Sequence, residues 1–528
     1  MPLRLREICL QLDEDESLLP DKIAAILGLE AAQIESWTII RKAIDARRKT
    51  EILRVYTVEF CCADEIRLLE RHHQLTTLLP APEKKDFTWS RLTSPGRVLI
   101  VGMGPAGLFS ALALAHAGAQ VHLIERGRDV VERLRDVNHF WAGGELKPES
   151  NIQFGEGGAG TFSDGKLTCR LNHPESRFVL ERLVAFGAPE DILWQAKPHI
   201  GSDRLRRILL NIRKELLALG VEIRFSACLT GIDCANGRVR AGIVNQNEEI
   251  LCDQLILATG HSARDTYKML AHKDVMLEQK PFAIGLRVEH PIELINRIQY
   301  GNNVHPRLPA ADYRLAWNDS ATGRGVYSFC MCPGGWVVNA ASEPGGLVVN
   351  GMSDFRRDAD WSNSALVVSV TPKDFPGDDA LAGVRFQRLW EQAAYRAGGE
   401  NWHAPAQPLL EYLNGKGGQL SSSCRPAVAH ADLKNCLPKF VDAGLRKALP
   451  YFNQCMRGFV GPEAVLIGVE TRTSSPVRIV RDRFGESVSL KGLFPVGEGA
   501  GYAGGIMSAA LDGLTIAGNI IQRSNANQ

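Results

Sequence analysis

The sequence predicts an α/β fold organised around a dinucleotide-binding Rossmann unit, and two observations support this class. Residues 97–126 contain, in order, a short apolar strand, a glycine turn, an apolar helix, a second strand and an acid. Residues 254–260 and 492–506 each contain a further apolar strand that runs into a glycine turn. Strands and helices that alternate in this way form parallel sheets, which bind their ligands at the carboxyl ends of the strands.

The glycine turn at residues 102–107 has the spacing GxGxxG. Gly102 allows a sharp turn, Gly104 lets the backbone approach a pyrophosphate, and Gly107 lets the helix pack closely on the strand. The N-terminus of the helix supplies free N–H groups and a positive dipole end for the phosphates. Glu125 follows roughly 20 residues later, where an acid accepts the hydroxyls of an adenosine ribose.

Length and charge limit the remaining classes of protein. At 528 residues the chain exceeds the roughly 250–300 residues of a single core, so two or three domains are expected. The 61 Lys and Arg residues nearly balance the 60 Asp and Glu residues, which gives a net charge of +1. No field of the whole protein therefore attracts nucleic acid or anionic lipid.

Cysteine usage and the first residues favour a cytoplasmic protein. Twelve cysteines at irregular spacings do not form a disulfide framework. No CxxC pair is present to hold zinc, so no metal site is expected. Residues 1–16 contain acids and lack the apolar core of a secretory signal. We therefore expect a cytoplasmic protein without a membrane partner.

Residues 1–85 are predicted to form a small separate α/β unit, followed by a proline-containing linker at 80–96. Alternating apolar residues predict strands at 3–8 and 52–60, and a helix opened by proline is predicted at 20–29. The basic segment 41–49 lies between the helix and the second strand. Such a run is usually a solvated face, and a nucleic-acid contact is the alternative interpretation.

The glycine turns together resemble the FAD-binding domain of the glutathione-reductase-like flavoproteins. The resemblance rests on the first turn, on the strand that ends in Ala258, Thr259 and Gly260, and on the terminal turn at Gly497 and Glu498. It implies that FAD is the cofactor, that Glu498 binds a ribityl hydroxyl, and that the last helix directs its N-terminus at the flavin. The acid in such folds is usually aspartate, and Glu498 is one methylene longer.

The chain is more similar still to a bacterial family of uncharacterised FAD-dependent dehydrogenases. The matching segments are QFGEGGAGTFSDGKL at 153–167, YSFCMCPGGWVVNAASE at 327–343, ETRTSSPVRI at 470–479, PVGEGAGYAGGI at 495–506 and the basic IDAR segment at 44–47. The resemblance implies a discontinuous FAD-binding Rossmann domain at 95–275 and 463–528. An α+β substrate domain is expected as an insertion at 276–462, and the small domain at 1–85 precedes both.

Missing motifs narrow the reaction that this resemblance implies. The chain has no redox dithiol on the helix after the first glycine turn and no second GxGxxG unit for NAD(P)H. A nicotinamide donor must then dock transiently against the flavin. We expect an FAD-dependent oxidoreductase that transfers hydride between the flavin and a small or medium organic substrate. The alternatives are a flavoprotein that modifies or binds RNA and a non-catalytic FAD-fold binding protein.

Three segments supply candidate catalytic residues beside the flavin. Arg472 can hold a substrate carboxylate in a bidentate manner, with an ion pair to Glu470 as the alternative. His261 can act as a general acid or only contact FAD. Cys330 and Cys332 can protonate a carbanion, relay electrons or be buried structural thiols. In a regular strand these thiols would share one face, with Cα atoms about 6.6 Å apart, which disfavours a disulfide.

The five glycines of the segment at 151–167 expose backbone N–H groups and permit close approach to a large planar ligand, with a flexible surface loop as the alternative. The family resemblance implies that this segment lies along FAD. Lys166 is expected near the flavin N1–C2=O edge or the pyrophosphate, and Arg133 near the pyrophosphate charge; a surface position is the alternative for each. The remaining expected cofactor contacts are Pro105, Ala106, Arg126, Gly158, Gly160, Thr161, Asp164, Gly165, Leu167, Leu229, Gly505 and Ile506.

Overall fold

A computed structural model describes residues 1–83, 87–89, 91–169, 173–302 and 305–526. Residues 84–86 and 90 of the predicted linker lie outside the described residues. The first part of the chain contains β1 (Leu3–Gln11), α1 (Leu19–Leu27), β2 (Ser36–Asp45), β3 (Leu53–Cys61), α2 (Glu65–Arg71) and β4 (Leu78–Pro80). These strands form a sheet in the order β2-β3-β1-β4, and β1 pairs antiparallel with β3 and β4.

The predicted basic segment 41–49 lies partly on β2, at the edge of this sheet. The backbone N–H of Lys42 donates to Trp194 O at 2.7 Å, and Ala196 N donates to Lys42 O at 2.9 Å. The Lys42 side chain pairs with Glu16 at 2.6 Å. One of the basic residues therefore attaches the N-terminal sheet to the next part of the chain.

The second part of the chain contains β5 (Arg97–Val101), α3 (Pro105–His116), β6 (Gln120–Ile124), α4 (Val130–Trp141), α5 (Ser176–Ala185), α6 (Ser202–Ala218), β7 (Glu222–Arg224), β8 (Leu229–Ala235), β9 (Arg238–Val244), β10 (Glu248–Leu251), β11 (Gln254–Leu257) and α7 (Arg264–His272). β7 pairs parallel with β6, and β9 forms a separate antiparallel sheet with β8 and β10.

The third part of the chain contains β12 (Leu277–Gln279), β13 (Phe282–Pro291), α8 (Ile292–Tyr300), β14 (Ala316–Asp319), β15 (Arg324–Cys332), β16 (Trp336–Asn339), β17 (Val349–Met352), β18 (Trp361–Val370), α9 (Ala382–Ala397), β19 (Ala404–Pro408), α10 (Leu409–Asn414), β20 (Val428–His430), α11 (Lys439–Cys455) and β21 (Val465–Glu470). Seven of its strands form one sheet in the order β14-β15-β18-β13-β21-β19-β20. Since β21 is a central strand of this sheet, the predicted domain boundary at 462 lies too early.

The two faces of the seven-stranded sheet differ in what covers them. Val326 and Val368 belong to the large core on one face, where a Cβ on Gly444 of α11 would lie 3.3 Å from Val368. Ala283, Ala365 and Val367 form a small apolar cluster of their own. Small side chains on that second face leave room beside the sheet for a cavity.

The last part of the chain contains β22 (Val477–Ile479), β23 (Leu493–Pro495) and α12 (Ile506–Ala526). It returns to the second part, because β23 joins the parallel sheet β23-β11-β5-β6-β7 beside β11. Helices α12 and α3 lie against each other, with Ser110 Oγ donating to Gly513 O at 3.1 Å. The Rossmann sheet is therefore discontinuous in sequence.

Within the described ranges, no helix combines the length and the apolar character that crossing a membrane requires. No cluster of three or more His, Cys, Asp or Glu side chains suited to a metal ion occurs in that part of the chain either.

Candidate active site

A cavity of about 1070 Å³ lies between the Rossmann sheet and the seven-stranded sheet. Its walls include most of the residues that the sequence singles out: Gly102, Gly104, Pro105, Ala106, Glu125, Arg126, Gly158, Gly160, Asp164, Gly165, Lys166, Leu229, Thr259, Gly260, His261, Cys330, Arg472, Glu498, Gly505 and Ile506. The remaining candidates lie behind the walls: Gly107, Arg133, Thr161, Leu167, Cys332 and Gly497.

The first glycine turn has the geometry that its sequence predicts. Gly102 has φ +104°, a conformation that side chains other than glycine rarely adopt. A Cβ on Gly107 would lie 1.9 Å from Gly102 O, so glycine is needed for α3 to pack on the turn. A Cβ on Gly104 would meet nothing nearer than Gly158 Cα at 4.0 Å. The space at Gly104 is therefore open on the cavity side.

Glu125 holds the first glycine turn against the glycine-rich segment. Its Oε2 accepts a hydrogen bond from Met103 N, and its Oε1 accepts from Gly127 N and Gly155 N, each at 2.9 Å. Three backbone donors thus use most of the acceptor capacity of the carboxylate. Contact with a ribose stays a prediction for this residue, which also lines the cavity.

Arg126 is held by acids rather than free to bind a ligand charge. Its guanidinium pairs with Glu149 at 2.6 Å and Asp265 at 2.9 Å. The same group lies 4.2 Å from the ring centroid of Phe154. Arg126 therefore connects α7 to the glycine-rich segment.

Arg133 was expected to meet pyrophosphate charge, and the structure does not support this. The fully buried guanidinium donates to the backbone oxygens of Asn151, Ile152 and Glu156 at 2.7–2.8 Å. Burial lowers the pKa of Arg133 to about 10. Thr161 is buried behind the loop with it, and its hydroxyl donates to Glu156 O at 3.1 Å. Both residues shape the glycine-rich segment from behind.

Asp164 and Lys166 link the glycine-rich segment to the third part of the chain. Asp164 accepts hydrogen bonds from Ser353 and from Arg357. Burial opposes its ionisation, but Lys166 and Arg357 outweigh this effect and lower the pKa of Asp164 to about 2. Lys166 lies 3.7 Å from Asp164 and donates to Met331 O. A permanent cation therefore lies beside the strand that carries the candidate cysteines.

Cys330 and Cys332 do not share one face, contrary to the expectation for a regular strand. The pairing of β15 with β18 shifts register between Phe329 and Cys332, and Cys330 has φ +44°. This bulge directs Cys330 to the cavity and leaves Cys332 buried behind it. The Cys332 thiol lies 3.4 Å from Cys330 O, and both cysteines are free thiols.

The surroundings of Cys330 favour its thiolate form. A hydrogen bond from the Cys332 thiol, together with the charges of Lys166 and Arg287, holds the pKa of Cys330 well below its ordinary value. The same hydrogen bond raises the pKa of Cys332 well above the ordinary value. The cavity therefore contains one activated thiol with a protonated thiol behind it.

His261 and Glu498 lie together at the C-terminal ends of β11 and β23. Their nearest charged atoms are 3.8 Å apart. Burial, reinforced by Arg472 and Arg264, lowers the pKa of His261 to about 3, so the imidazole is neutral near pH 7. Burial raises the pKa of Glu498 to about 7. A neutral imidazole does not favour the general-acid alternative for His261, and contact with FAD stays a prediction.

Arg472 has a different acid partner from the one expected. It forms a bidentate pair with Glu391 of α9 at 3.0 and 2.8 Å, and it donates to Ser262 Oγ and Ser342 Oγ at 3.1 and 2.7 Å. Four of its five N–H groups are thus in use. With one N–H group left, Arg472 cannot also hold a substrate carboxylate in a bidentate manner in this arrangement.

Glu470 pairs instead with the fully buried Arg287. The distance from Arg287 Nε to Glu470 Oε2 is 2.6 Å, and Arg287 also donates to Cys330 O at 3.3 Å. No spacing in the sequence selects Arg287, because β13 and β21, which carry the pair, are distant in the chain.

The sequence prediction missed the cavity wall that the third part of the chain provides. Lys280, Arg314, Tyr327 and Phe329 all line the cavity. The matching segment at 327–343 contains Tyr327 and Phe329, but its pattern assigns no role to either residue. Arg314 becomes their neighbour only when β14 and β15 pair, and Lys280 comes from the residue stretch just before β13.

The cavity fits FAD in its shape and its polar groups. The N-termini of α3 and α12 both open onto it, and such termini attract phosphate and other negative charge. In the described part of the chain, the Glu498 carboxylate accepts no hydrogen bond, which leaves it available to a ribityl hydroxyl. The fold and the cavity together define the class of the protein: an FAD-binding Rossmann protein with an inserted second domain.

Comparison with known families supports the same class. Residues 281–473 match the family described as FAD-dependent protein, C-terminal domain-like. Residues 96–279 match the pyridine nucleotide-disulphide oxidoreductase family, and residues 2–61 match a domain of unknown function. An uncharacterised protein from Clostridium beijerinckii is 45% identical over 529 residues, covering 99% of both chains. The chain belongs to this family of FAD-dependent oxidoreductases, and its cofactor is FAD.

Solved structures include similar flavoproteins at low identity. The glycine oxidase from Bacillus cereus is 12% identical, with 82% of this chain and 96% of that chain covered and a TM-score of 0.35. The glycerol-3-phosphate dehydrogenase from Bacillus halodurans, complexed with FAD, is 10% identical, with 82% and 65% covered and a TM-score of 0.35.

Proposed function

We propose that the protein is an FAD-dependent dehydrogenase in which Cys330 transfers a proton while hydride moves between the flavin and a small or medium organic substrate. The observation that carries this proposal is the lowered pKa of Cys330 at the cavity surface. FAD supplies the hydride chemistry, so the chain needs to bind and orient its substrate and to handle the accompanying proton. The thiolate form of Cys330 can accept this proton when hydride moves to the flavin, and the resulting thiol can return it in the reverse direction.

The other charged groups of the cavity support this assignment. Lys166 and Arg287 stabilise the thiolate, and neutral His261 offers a hydrogen-bond donor or acceptor next to Glu498. Arg472 is proposed as a positioning residue, since it pairs with Glu391 and holds Ser262 at the cavity wall through a hydrogen bond. Cys332 is likewise proposed to act through its hydrogen bond to Cys330. NADH or NADPH would reach the flavin only by transient docking.

The test is anaerobic mixing of the FAD-loaded protein with NADH, NADPH and panels of hydroxy acids, amino acids and enoates. Bleaching or recovery of the flavin absorbance with at least one organic compound is expected. Cys330→Ser should slow that half-reaction by about 10²–10⁴-fold, the usual contribution of general acid–base catalysis. Cys228→Ser is the matched control, because Cys228 also lines the cavity but burial raises its pKa to about 11.

A flavin that keeps its redox state with every compound would overturn the dehydrogenase and favour the non-catalytic FAD-fold protein. Equal rates in Cys330→Ser and Cys228→Ser would remove Cys330 from the reaction. No contact of the described residues favours the RNA alternative, which stays a prediction.

A further inference from the structure

The hairpin of β14 and β15 forms one wall of the cavity. Ala316 pairs with Tyr327, and Ser328 N donates to Leu315 O at 2.9 Å, which extends the pairing by one residue. Successive residues of a strand point to opposite faces. Six residues of the hairpin line the cavity: Arg314, Ala316, Tyr327, Ser328, Phe329 and Cys330. We call the four of them that share one face the hairpin wall: Arg314, Ala316, Tyr327 and Phe329.

The opposite face of the same hairpin is core. Leu315 and Val326 are buried in the large hydrophobic cluster, with exposed fractions of 6% and 1%. Ser328 also reaches the cavity, but its hydroxyl is engaged by the backbone N–H and O of Leu315 at 2.8 and 3.4 Å. Phe329 is 39% exposed, an unusual state for a phenyl ring that lines an interior cavity. An apolar surface of this kind is available for a planar partner.

Arg314 differs from the other arginines of the cavity wall. Arg126 is neutralised by Glu149 and Asp265, and Arg472 is neutralised by Glu391. Arg314 forms no ion pair or hydrogen bond with any residue in the described ranges. It is exposed at the position opposite Phe329. Arg314 thus offers a complete guanidinium fork, the group best suited to a carboxylate.

We propose that the hairpin wall binds a planar, conjugated carboxylate as the substrate of the dehydrogenase. The acid group pairs with Arg314, and the conjugated body lies on the rings of Phe329 and Tyr327. The short side chain of Ala316 leaves space for that body. Cys330 follows Phe329 directly, so the ligand is held beside the activated thiol. This inference rests on the proposed function and names its substrate class.

The test uses trans-cinnamate as the probe and the FAD-loaded protein in its oxidised state. Binding is measured by calorimetry and by the change in the flavin spectrum. Cinnamyl alcohol has the same planar body without the charge, and 3-cyclohexylpropanoate has the charge without the planar body. Cinnamate should bind about tenfold or more tightly than either compound, because each lacks one of the two contacts.

Arg314→Gln should weaken cinnamate binding about tenfold or more and leave the affinity for cinnamyl alcohol unchanged. Phe329→Ala should weaken both compounds. Arg240→Gln is the matched control, since Arg240 is an exposed arginine of β9 that pairs with Asp233 outside the cavity. FAD content and far-ultraviolet circular dichroism show that each variant is folded.

Unchanged cinnamate affinity in Arg314→Gln, or equal affinities for cinnamate and cinnamyl alcohol, overturns the proposal. The binding result and the test of the proposed function can fail independently of each other. Cinnamate that binds through Arg314 to a flavin without redox activity contradicts the dehydrogenase alone. A flavin that reacts with other compounds while cinnamate fails to bind contradicts the substrate class alone.

Discussion

Cys330 and Cys228 line the same cavity but have opposite surroundings. Cys330 lies near Lys166 and Arg287 and accepts a hydrogen bond from Cys332, all of which stabilise negative charge. Cys228 is half-buried, and burial is the largest effect on its pKa; Arg126 opposes this rise, while Asp265 and Glu149 add to it. Since the thiolate is the reactive form of cysteine, the two thiols should differ in reactivity more than in accessibility.

Alkylation by iodoacetamide should therefore modify Cys330 before Cys228. The pKa of Cys330 is lowered, so its alkylation rate should reach its plateau at a lower pH than that of an ordinary thiol. The pKa of Cys228 is raised to about 11, so its rate should keep rising up to that pH. Peptide mass spectrometry after timed labelling between pH 5 and pH 10 measures both rates. A Cys330 rate that rises only above pH 9 contradicts the assignment.

The turn between β5 and α3 contains two glycines that serve different purposes. Gly107 is needed by the folded chain itself, because a Cβ there would lie 1.9 Å from Gly102 O. Gly104 is not needed for packing, since the nearest atom to its Cβ position is 4.0 Å away. Its lack of a side chain matters only when a pyrophosphate approaches the turn.

Gly104→Ala should consequently reduce FAD affinity without lowering the thermal stability of the FAD-free protein. Gly107→Ala should lower both, because α3 must move away from β5. FAD titration by fluorescence and thermal unfolding of the stripped protein give the two quantities. Gly518→Ala on α12 is the control, since its Cβ meets nothing within 4 Å. Equal stability losses in Gly104→Ala and Gly107→Ala would contradict this division.

Glu391 joins the Rossmann part of the molecule to the inserted part. It lies on α9 and receives hydrogen bonds from Arg264 of α7 and from Arg472, all at 2.8–3.0 Å. Burial opposes its ionisation, but the two arginines hold its pKa well below the ordinary value. The cavity lies between the two parts of the chain, so this ion triad also fixes the cavity walls.

Glu391→Ala should lower the free energy of unfolding by about 3–5 kcal/mol, because it leaves the buried charge of Arg472 without its carboxylate partner. Denaturant unfolding followed by circular dichroism measures this loss. Glu249→Ala is the control, since its pair with Arg240 is about half exposed and should change stability by about 0–1 kcal/mol. A loss in Glu391→Ala no larger than that in the control contradicts the structural role of the triad.

Local sequence patterns predicted the parts of the fold that depend on neighbouring residues. The turn at Gly102 and Gly107 and the terminal turn at Gly497 follow from backbone geometry, which a few residues determine. Arg133 and Arg472 could not be assigned in this way, because their partners come from loops and helices elsewhere in the chain. The hairpin wall was missed because its residues meet only when β14 and β15 pair. The orientation of Cys330 was missed because the β-bulge interrupts the regular alternation of a strand.

The most direct test of the central claim is the visible spectrum of the FAD-loaded protein as a function of pH. A thiolate next to an oxidised flavin gives a long-wavelength charge-transfer band. The band should be present near neutral pH, disappear as Cys330 is protonated at lower pH, and be absent in Cys330→Ser but retained in Cys228→Ser. A spectrum that is the same in both variants at every pH would contradict the claim that the cavity brings Cys330 to the flavin.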